Sequence, residues 1–297
     1  MNANVLPETT EESTRSVAEP PIRRRKSPRH VLVYVLLVSI SALFLLPLFW
    51  MISSALKPNY QVMAFPPVWI PNPPKWSNFR EALTYVPFGR FSINTVIIAL
   101  GTIVGTVLSC TVVAYGFARL RAPGKNALFV VLLATMMLPY PVTMIPLYVE
   151  FNTVGWVNTF LPLIVPAFFG VPFYIFLLRQ FFMGIPTEFE DAARIDGANT
   201  PQILWHVILP MSKPALATVA ILTFQSTWND FLPPLIYLHD QSKYTISLGL
   251  NFFRSTYTIN WAYLMAASLV TMLPVVLLFF FAQRLFIQGI TLTGIKG

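Results

Sequence analysis

An all-α integral membrane fold is predicted for this 297-residue chain by three observations. Hydrophobic residues make up 55% of it and charged residues only 11%, where a soluble domain carries about 25% charged residues. Stretches long enough to cross a bilayer, which takes about 20 apolar residues, recur six times along the sequence, five of them free of charge and one broken only by Asp230. Each stretch is a continuous apolar run and not an alternating one, which selects helices over a barrel. Six transmembrane helices follow, with one polar loop between the fourth and the fifth.

Taken in order, residues 1–30 are a tail. Its first 22 residues are rich in Glu, Ser, Thr and Pro, cannot bury a core and are expected to be disordered. The basic run Arg23, Arg24, Arg25, Lys26 and Arg29 follows. The apolar stretch after it is too long for a signal peptide and lacks a small-x-small cleavage site, so the run is read as an anchor. Residues 31–285 form the transmembrane domain. The spans are expected near Val31–Ser53, Phe91–Ala118, Asn126–Val149, Asn158–Leu178, Pro214–Leu238 and Ala262–Gln283. Lys57–Arg90, rich in Pro and Trp, suits a rigid segment lying at the membrane interface. Residues 286–297 are a C-terminal tail.

Charge sets the orientation. With both termini inside, 14 of the 20 Lys and Arg residues lie on cytoplasmic segments and 6 on outer ones. This bias predicts a multi-pass protein of the cell (inner) membrane with cytoplasmic N- and C-termini. The net charge of +8 is therefore read as an orientation signal and not as a nucleic-acid footprint. A single cysteine, Cys110, lies within an apolar stretch, where it excludes an internal disulfide and suits helix packing. His30, His206 and His239 are scattered, so no metal site is expected. There is no phosphate loop, no H-E-x-x-H and no G-x-S-x-G. No catalytic residue is assigned and no cofactor is expected on this chain, so energy for any work must come from an ion gradient or another subunit.

The polar loop, residues 185–212, holds four of the 12 acids: Glu188, Glu190, Asp191 and Asp196. Pro186 ends the preceding span. Thr187 with Glu190 three residues on is read as a capping box, and acids in that first turn suit the helix dipole. Gly197 supplies the stop, because glycine adopts the left-handed C′ conformation without strain. Thr200-Pro201 is read as the cap and first-turn proline of a second short helix ending near Leu209-Pro210.

Spacing in this loop resembles that of permease subunits of binding-protein-dependent ABC importers. The family pattern is Glu-Ala-Ala, three residues, Gly, nine residues, Ile-x-Leu-Pro; here it reads Asp191-Ala192-Ala193, Gly197, then Val207-Ile208-Leu209-Pro210. Asp196-Gly197-Ala198, the run Trp228-Asn229-Asp230-Phe231 and the C-terminal run from Phe286 to Gly297 are similar to the carbohydrate branch, in particular to the maltose-permease type. The likeness covers roughly residues 30–297. It implies that Glu190, Asp191, Ala192, Ala193, Asp196, Gly197, Ala198, Leu209 and Pro210 form a coupling helix and its surroundings, docking on a separate nucleotide-binding ATPase. It also implies a tail contact to that ATPase through Gly289, Thr291, Gly294 and Lys296. The partners implied are a second permease in a heterodimer, two ATPase copies holding ATP and Mg, an external solute-binding protein and a carbohydrate. The sugar stays open among maltodextrins, disaccharides, a sugar derivative and glycerol phosphate.

Gln225, Trp228, Asn229 and Asp230 are read as candidates for the substrate pathway: an ionisable group within a span faces a cavity or a partner, and an aromatic ring beside an amide suits a sugar. Helix packing or an outer gate is the other reading. Gly101 and Gly105 form a G-x-x-x-G that close helix packing explains. A gradient-driven secondary transporter is the rival reading; it calls for paired intramembrane acids or an inverted repeat, and the spans show one acid and no clear repeat. An intramembrane enzyme would need a second polar cluster at depth.

Overall fold

The computed structural model describes residues 28–254 and 259–294, with side chains over 31–254 and 259–283. The expected disordered tail and Lys296 lie outside the described residues. Among those described there is no strand, only an isolated bridge between Arg254 and Ile259. Eleven helices of six or more residues follow one another: α1 Pro28–Ala55, α2 Ser77–Tyr85, α3 Phe88–Arg119, α4 Lys125–Ala134, α5 Tyr140–Thr153, α6 Pro172–Met183, α7 Glu188–Ile195, α8 Lys213–Asn229, α9 Leu232–Tyr237, α10 Ile246–Asn251 and α11 Trp261–Gly294. Four helical segments are long and apolar enough to cross a membrane on their own, and the count rises to six if each of two bent pairs is one span.

The chain falls into two compact units, Met1–Leu48 and Phe49–Gly297. In the first, the described part of α1 carries exposed apolar side chains from Val31 to Leu46. Such a surface is stable only in lipid or against a partner. In the second, α3 is the central element and packs on α6, on α8 and on the Leu161–Phe169 segment.

Proline explains where the observed spans depart from the expected ones. The third is bent by 95° between Met137 and Tyr140. Leu138, which precedes Pro139, has an extended ψ of 113°, because a residue before proline avoids the helical region. The fourth starts as a turn of helix, Leu161–Ile164, and continues as a 3₁₀ turn, Val165–Phe169. Gly170 at φ +93° then separates it from α6, which runs on to Met183, beyond the expected Leu178. The fifth stops at Asn229, not Leu238, and the chain restarts as α9 with Pro233 and Pro234 in its first turns. The first, second and sixth spans match their helices to within a few residues, apart from α11 continuing to Gly294.

Backbone that leaves the helical pattern inside a membrane frees carbonyls that lipid cannot satisfy. Small polar side chains of α3 meet that demand. Ser109 Oγ donates to Ala167 O at 2.8 Å and Thr102 Oγ1 to Leu163 O at 3.3 Å, and Val171 N–H reaches Cys110 Sγ at 3.2 Å. Close approach is required for these bonds. A Cβ on Gly101 would lie 2.9 Å from Ile164, and one on Gly105 only 2.6 Å from the Phe168 ring. The G-x-x-x-G is a packing surface.

The Phe88 end of α3 is tied down by amides and hydroxyls. Asn94 Nδ2 donates to Ser242 O and Tyr244 O, each at 2.9 Å, and Ile246 N–H donates to Thr95 Oγ1 at 2.9 Å. Buried Asn78 donates to Ala55 O and Lys57 O at 2.8 Å, closing the free carbonyls at the end of α1. Lys57 is itself buried, with its ammonium 4.0 Å from the centre of the Trp50 ring. Glu81 accepts from the Tyr263 hydroxyl and pairs with Lys75 at 3.0 Å.

Two predictions follow from this packing. In α10, a Cβ on Gly249 would sit 2.6 Å from fully buried Phe91, whereas one on Gly116 of α3 meets nothing within 4 Å. Gly249→Ala should therefore destabilise the purified protein by about 1–3 kcal/mol through overpacking, while Gly116→Ala should be neutral or stabilising, as read from thermal unfolding midpoints. The Tyr263 hydroxyl, then Ser77 and Lys75, hold the Glu81 carboxyl down at about 2. A depressed folded-state pKa contributes stability above the ordinary carboxylate value, and that stability is lost as pH falls through the folded value. The unfolding midpoint should drop between about pH 4.5 and pH 2, and should drop less in Tyr263→Phe, whose Glu81 lacks its main partner.

Candidate functional site

The 185–212 loop lies at the Arg119 end of α3. Its first helix, α7, is closed by a Schellman motif: Ala198 N–H donates to Ala193 O at 2.9 Å and Gly197 N–H to Arg194 O at 3.0 Å, with Gly197 at φ +82°. The glycine stop is as expected, but the caps are not. Thr187 is helical in conformation and its side chain makes no capping bond. At the second helix the cap is Asn199, one residue before the expected Thr200. Asn199 Oδ1 accepts from Gln202 N–H at 3.0 Å, and Gln202 Oε1 accepts from Asn199 N–H at 2.8 Å. Asn and Gln satisfy both orphan donors reciprocally, which Thr200 cannot do because Ile203, three residues on, has no side-chain acceptor.

Glu190 departs most from expectation. Its carboxylate does not face outward: it is 3% exposed. Oε1 lies 3.0 Å from Arg119 Nε, an ion contact without hydrogen-bond alignment, and Oε2 lies 3.2 Å from Arg194 Nη2. Arg119 in turn donates through Nη2 to Phe182 O at 2.6 Å and to Ile185 O. One guanidinium at the end of α3 thus holds both the frayed end of α6 and the acid of α7. Beneath this pair, Tyr115, Phe182, Ile185, Ile203, Leu204 and Ile208 join the loop to the helices in one apolar cluster. Arg119 was not singled out in the sequence, where an arginine ending an apolar run reads as an orientation charge. The separation of 71 positions from Glu190 hides the pairing.

The other acids behave differently. Asp191 is exposed and pairs with Arg194 at 3.1 Å, and Glu188 and Asp196 are exposed. Phe189 and Ile195 are 49% and 87% exposed on a helix of eight residues. Ala192 is exposed, while Ala193 and Ala198 are half-buried against the cluster. Leu209 and Pro210 are not brought to this surface. They line a separate apolar groove of about 410 Å³ with Val107, Leu108 and Leu204, past a π-helical turn at Leu204–Ile208.

Of the four residues read as substrate pathway, Trp228 is the buried one. It is 5% exposed, donates from Nε1 to Thr271 O at 2.9 Å and stacks on Phe224 at 5.3 Å. It packs α8 on α11, and with Asn229, Ser247 and Ser268 it borders a cavity of about 220 Å³. Gln225 and Asn229 are exposed, and Asn229 Nδ2 donates back to Gln225 O at 2.8 Å. Asp230 sits in the break after α8 and lines a cavity of about 570 Å³ together with Tyr140, Glu150, Trp156 and Tyr237. A second carboxylate, Glu150, lines the same cavity although it is 80 positions away in sequence, which no local pattern reveals. Gly289, Thr291 and Gly294 lie in the α11 backbone, but their side chains fall outside the described ones. Among the described residues no cluster of His, Cys, Asp and Glu could hold a metal.

Broken helices packed around one central helix, with a capped polar loop at its Arg119 end, are the frame in which the site lies. Residues 101–292 match the family model described as binding-protein-dependent transport system inner membrane component, and the chain belongs to this family. It is 32% identical over 286 residues to the arabinooligosaccharides transport system permease protein of Halalkalibacterium halodurans, covering 93% of this chain and 100% of that one. To the diacetylchitobiose uptake system permease protein of Streptomyces coelicolor it is 32% identical over 254 residues, 84% of each chain. In fold it is similar to a chain of a bacterial ABC transporter involved in the import of the acidic polysaccharide alginate, with a TM-score of 0.76, 24% identity and coverage of 89% and 99%. The chain is thus a multi-pass inner-membrane permease subunit of an ABC importer.

Burial of Glu190 and Arg119 predicts an asymmetry. Glu190→Ala or Arg119→Ala alone should cost about 3–5 kcal/mol, the first by stranding the Arg119 guanidinium and the second by leaving Glu190 to Arg194 alone and freeing the Phe182 and Ile185 carbonyls, whereas Arg119→Met with Glu190→Leu should recover the charge part but not the two carbonyl bonds. Trypsin cleavage after exposed Arg194 in membrane vesicles reports the loosening. Equal cleavage in the single and double variants would contradict the pairing.

Proposed function

We propose that the chain forms half of the translocation pathway of an ATP-driven importer for a sugar or oligosaccharide, and that α7 is the element through which a separate ATPase drives it. The carrying observation is α7 itself. It exposes Phe189 and Ile195 on an otherwise polar surface, stops at Gly197 and is fastened by Glu190 and Arg119 to the end of the central helix. A push on α7 is therefore passed to α3 and α6 through buried contacts. Family membership and the sugar-transport relatives support the substrate class.

On this reading six spans cross the inner membrane with both termini and the 185–212 loop inside, as the Lys and Arg bias requires. The 1–30 and 286–297 segments flank the 31–285 domain, and Gly289, Thr291, Gly294 and Lys296 add a tail contact to the ATPase. A second permease completes the pathway, two ATPase copies hold ATP and Mg, an external binding protein delivers the sugar, and this chain binds no cofactor. Asp191 and Asp196, with Ala192 at the exposed surface, remain the docking contacts. Glu190 acts by positioning α7. Leu209 and Pro210 set the angle at which the loop returns to α8.

Gly197 tests the docking. A side chain there meets nothing within 4 Å inside the chain, so it projects outward. Gly197→Ala should cost roughly 1 kcal/mol from its positive φ and leave transport largely intact. Gly197→Arg should insert normally yet lose about tenfold or more of ATPase co-purification, the equivalent of a 1.4 kcal/mol clash at the interface. Sugar uptake in proteoliposomes should follow internal ATP and ignore an ionophore; uptake driven by an ion gradient without ATP would support the secondary-transporter reading instead.

A further inference from the structure

We propose that the cavity between α5, the Leu161–Phe169 segment and α9 is a binding subsite for a neutral saccharide, with Asp230 and Glu150 accepting from its hydroxyls and Tyr237 and Tyr140 completing the polar contacts. This rests on the sugar-importer reading above and sharpens it to the uncharged members of that class.

Four features of the cavity carry the assignment. Its volume, about 570 Å³, is in the range of about 300–1,000 Å³ that holds small ligands. Tyr237 is 2% exposed, and its buried hydroxyl shares a hydrogen bond with that of Tyr140. Two hydroxyls bonded to each other leave one O–H donor without an acceptor. Buried hydroxyls are nearly always paired, and one left open inside a ligand-sized cavity marks a group that a ligand completes.

The walls are held in place. Phe151 stacks on Trp156 at 5.6 Å and meets Tyr237 edge-on at 5.4 Å, and Tyr148 stacks on Tyr237 at 6.3 Å. Asn158, at φ +61°, donates its N–H to Tyr237 O at 2.7 Å while its Oδ1 accepts from His239 and Asp240 N–H groups. The end of α9 is thereby stapled to the turn after α5. Aromatic faces suit the C–H faces of a pyranose or furanose ring, and fixed oxygen acceptors suit its hydroxyls.

Charge defines the ligand further. Two carboxylates line the cavity, with no Lys, Arg or His beside them. Among the described residues no Lys or Arg comes within ion-pair distance of Asp230 or Glu150. A uronate or sugar phosphate would place its own charge against this uncompensated pair, while a donor-rich neutral sugar would not.

Calorimetric titration of the assembled, purified importer in nanodiscs tests this with arabinotriose, diacetylchitobiose, maltotriose, trigalacturonate and sodium chloride as probes. A neutral oligosaccharide should bind saturably and trigalacturonate should not. Tyr237→Phe and Asp230→Asn should each weaken that binding about tenfold or more, the loss expected for a hydrogen bond to a charged or otherwise unpaired group. Glu150→Gln, at the mouth, should weaken it less. Unchanged thermal midpoints in these near-isosteric variants separate lost contacts from lost folding. Unchanged affinity in both Tyr237→Phe and Asp230→Asn, tighter binding of trigalacturonate, or heat with sodium alone would each overturn the subsite. If those variants bind normally while ATP-driven uptake of the same sugar persists, the subsite fails and the importer reading stands. If ATP drives uptake of no sugar, both fail.

Discussion

A charged acid and a guanidinium buried together are costly to desolvate, and they persist only where geometry and further hydrogen bonds compensate. Glu190 and Arg119 lie together where three helices converge, and the compensation comes from their other partners, Arg194 for the acid and two backbone carbonyls for the guanidinium. Arg119 takes up the carbonyls that α6 leaves free at Phe182 and Ile185, and its remaining face meets Glu190. Helix α7, too short to be stable alone, is thereby held in one orientation on the end of α3. Its exposed face, with Phe189 and Ile195, is thereby fixed relative to the ends of α3 and α6.

The membrane half of the protein obeys a second constraint. Pro139, Pro162, Pro166, Pro172 and Pro233 interrupt spans that an uncharged sequence would otherwise continue. Each interruption frees backbone groups in a medium that offers no partners. The chain answers with side chains on its central helix. Thr102, Ser109 and Cys110 reach the Leu163–Val171 backbone, and Gly101 and Gly105 bring that backbone within their range. Broken helices also open space that straight ones would fill. The cavity holding Asp230 lies at such a place, bordered by the bent third span, the 3₁₀ turn of the fourth and the interruption of the fifth. Glu150 gives it a second acid, the feature a gradient-driven carrier would need. Membership of the binding-protein-dependent family assigns the protein to an ATP-driven system.

Much of this was legible in the residues. Continuous apolar runs marked the four helices long and apolar enough to cross a membrane, because hydrophobic length is a one-dimensional property that lipid thickness reads directly. The Asp191–Gly197–Pro210 spacing identified the loop, because helix stops depend on local backbone chemistry. Gly197 carried through to a Schellman motif, since few other residues tolerate its φ. The caps failed because Thr187, Asn199 and Thr200 all satisfy the same composition rule, and only packing decided which of them left the helical region.

Membrane class, helix positions and the polar loop were thus determined by the sequence alone, through length, periodicity and glycine and proline chemistry acting over a few residues. Tertiary structure decided what those elements do for one another. It turned Glu190 from a surface acid into a buried anchor, set Trp228 into the packing of α8 on α11, and brought Glu150, Asp230, Tyr140 and Tyr237 to one cavity. Each outcome depends on partners 40 or more residues away, and such pairings are set by helix packing in three dimensions, which no local pattern encodes.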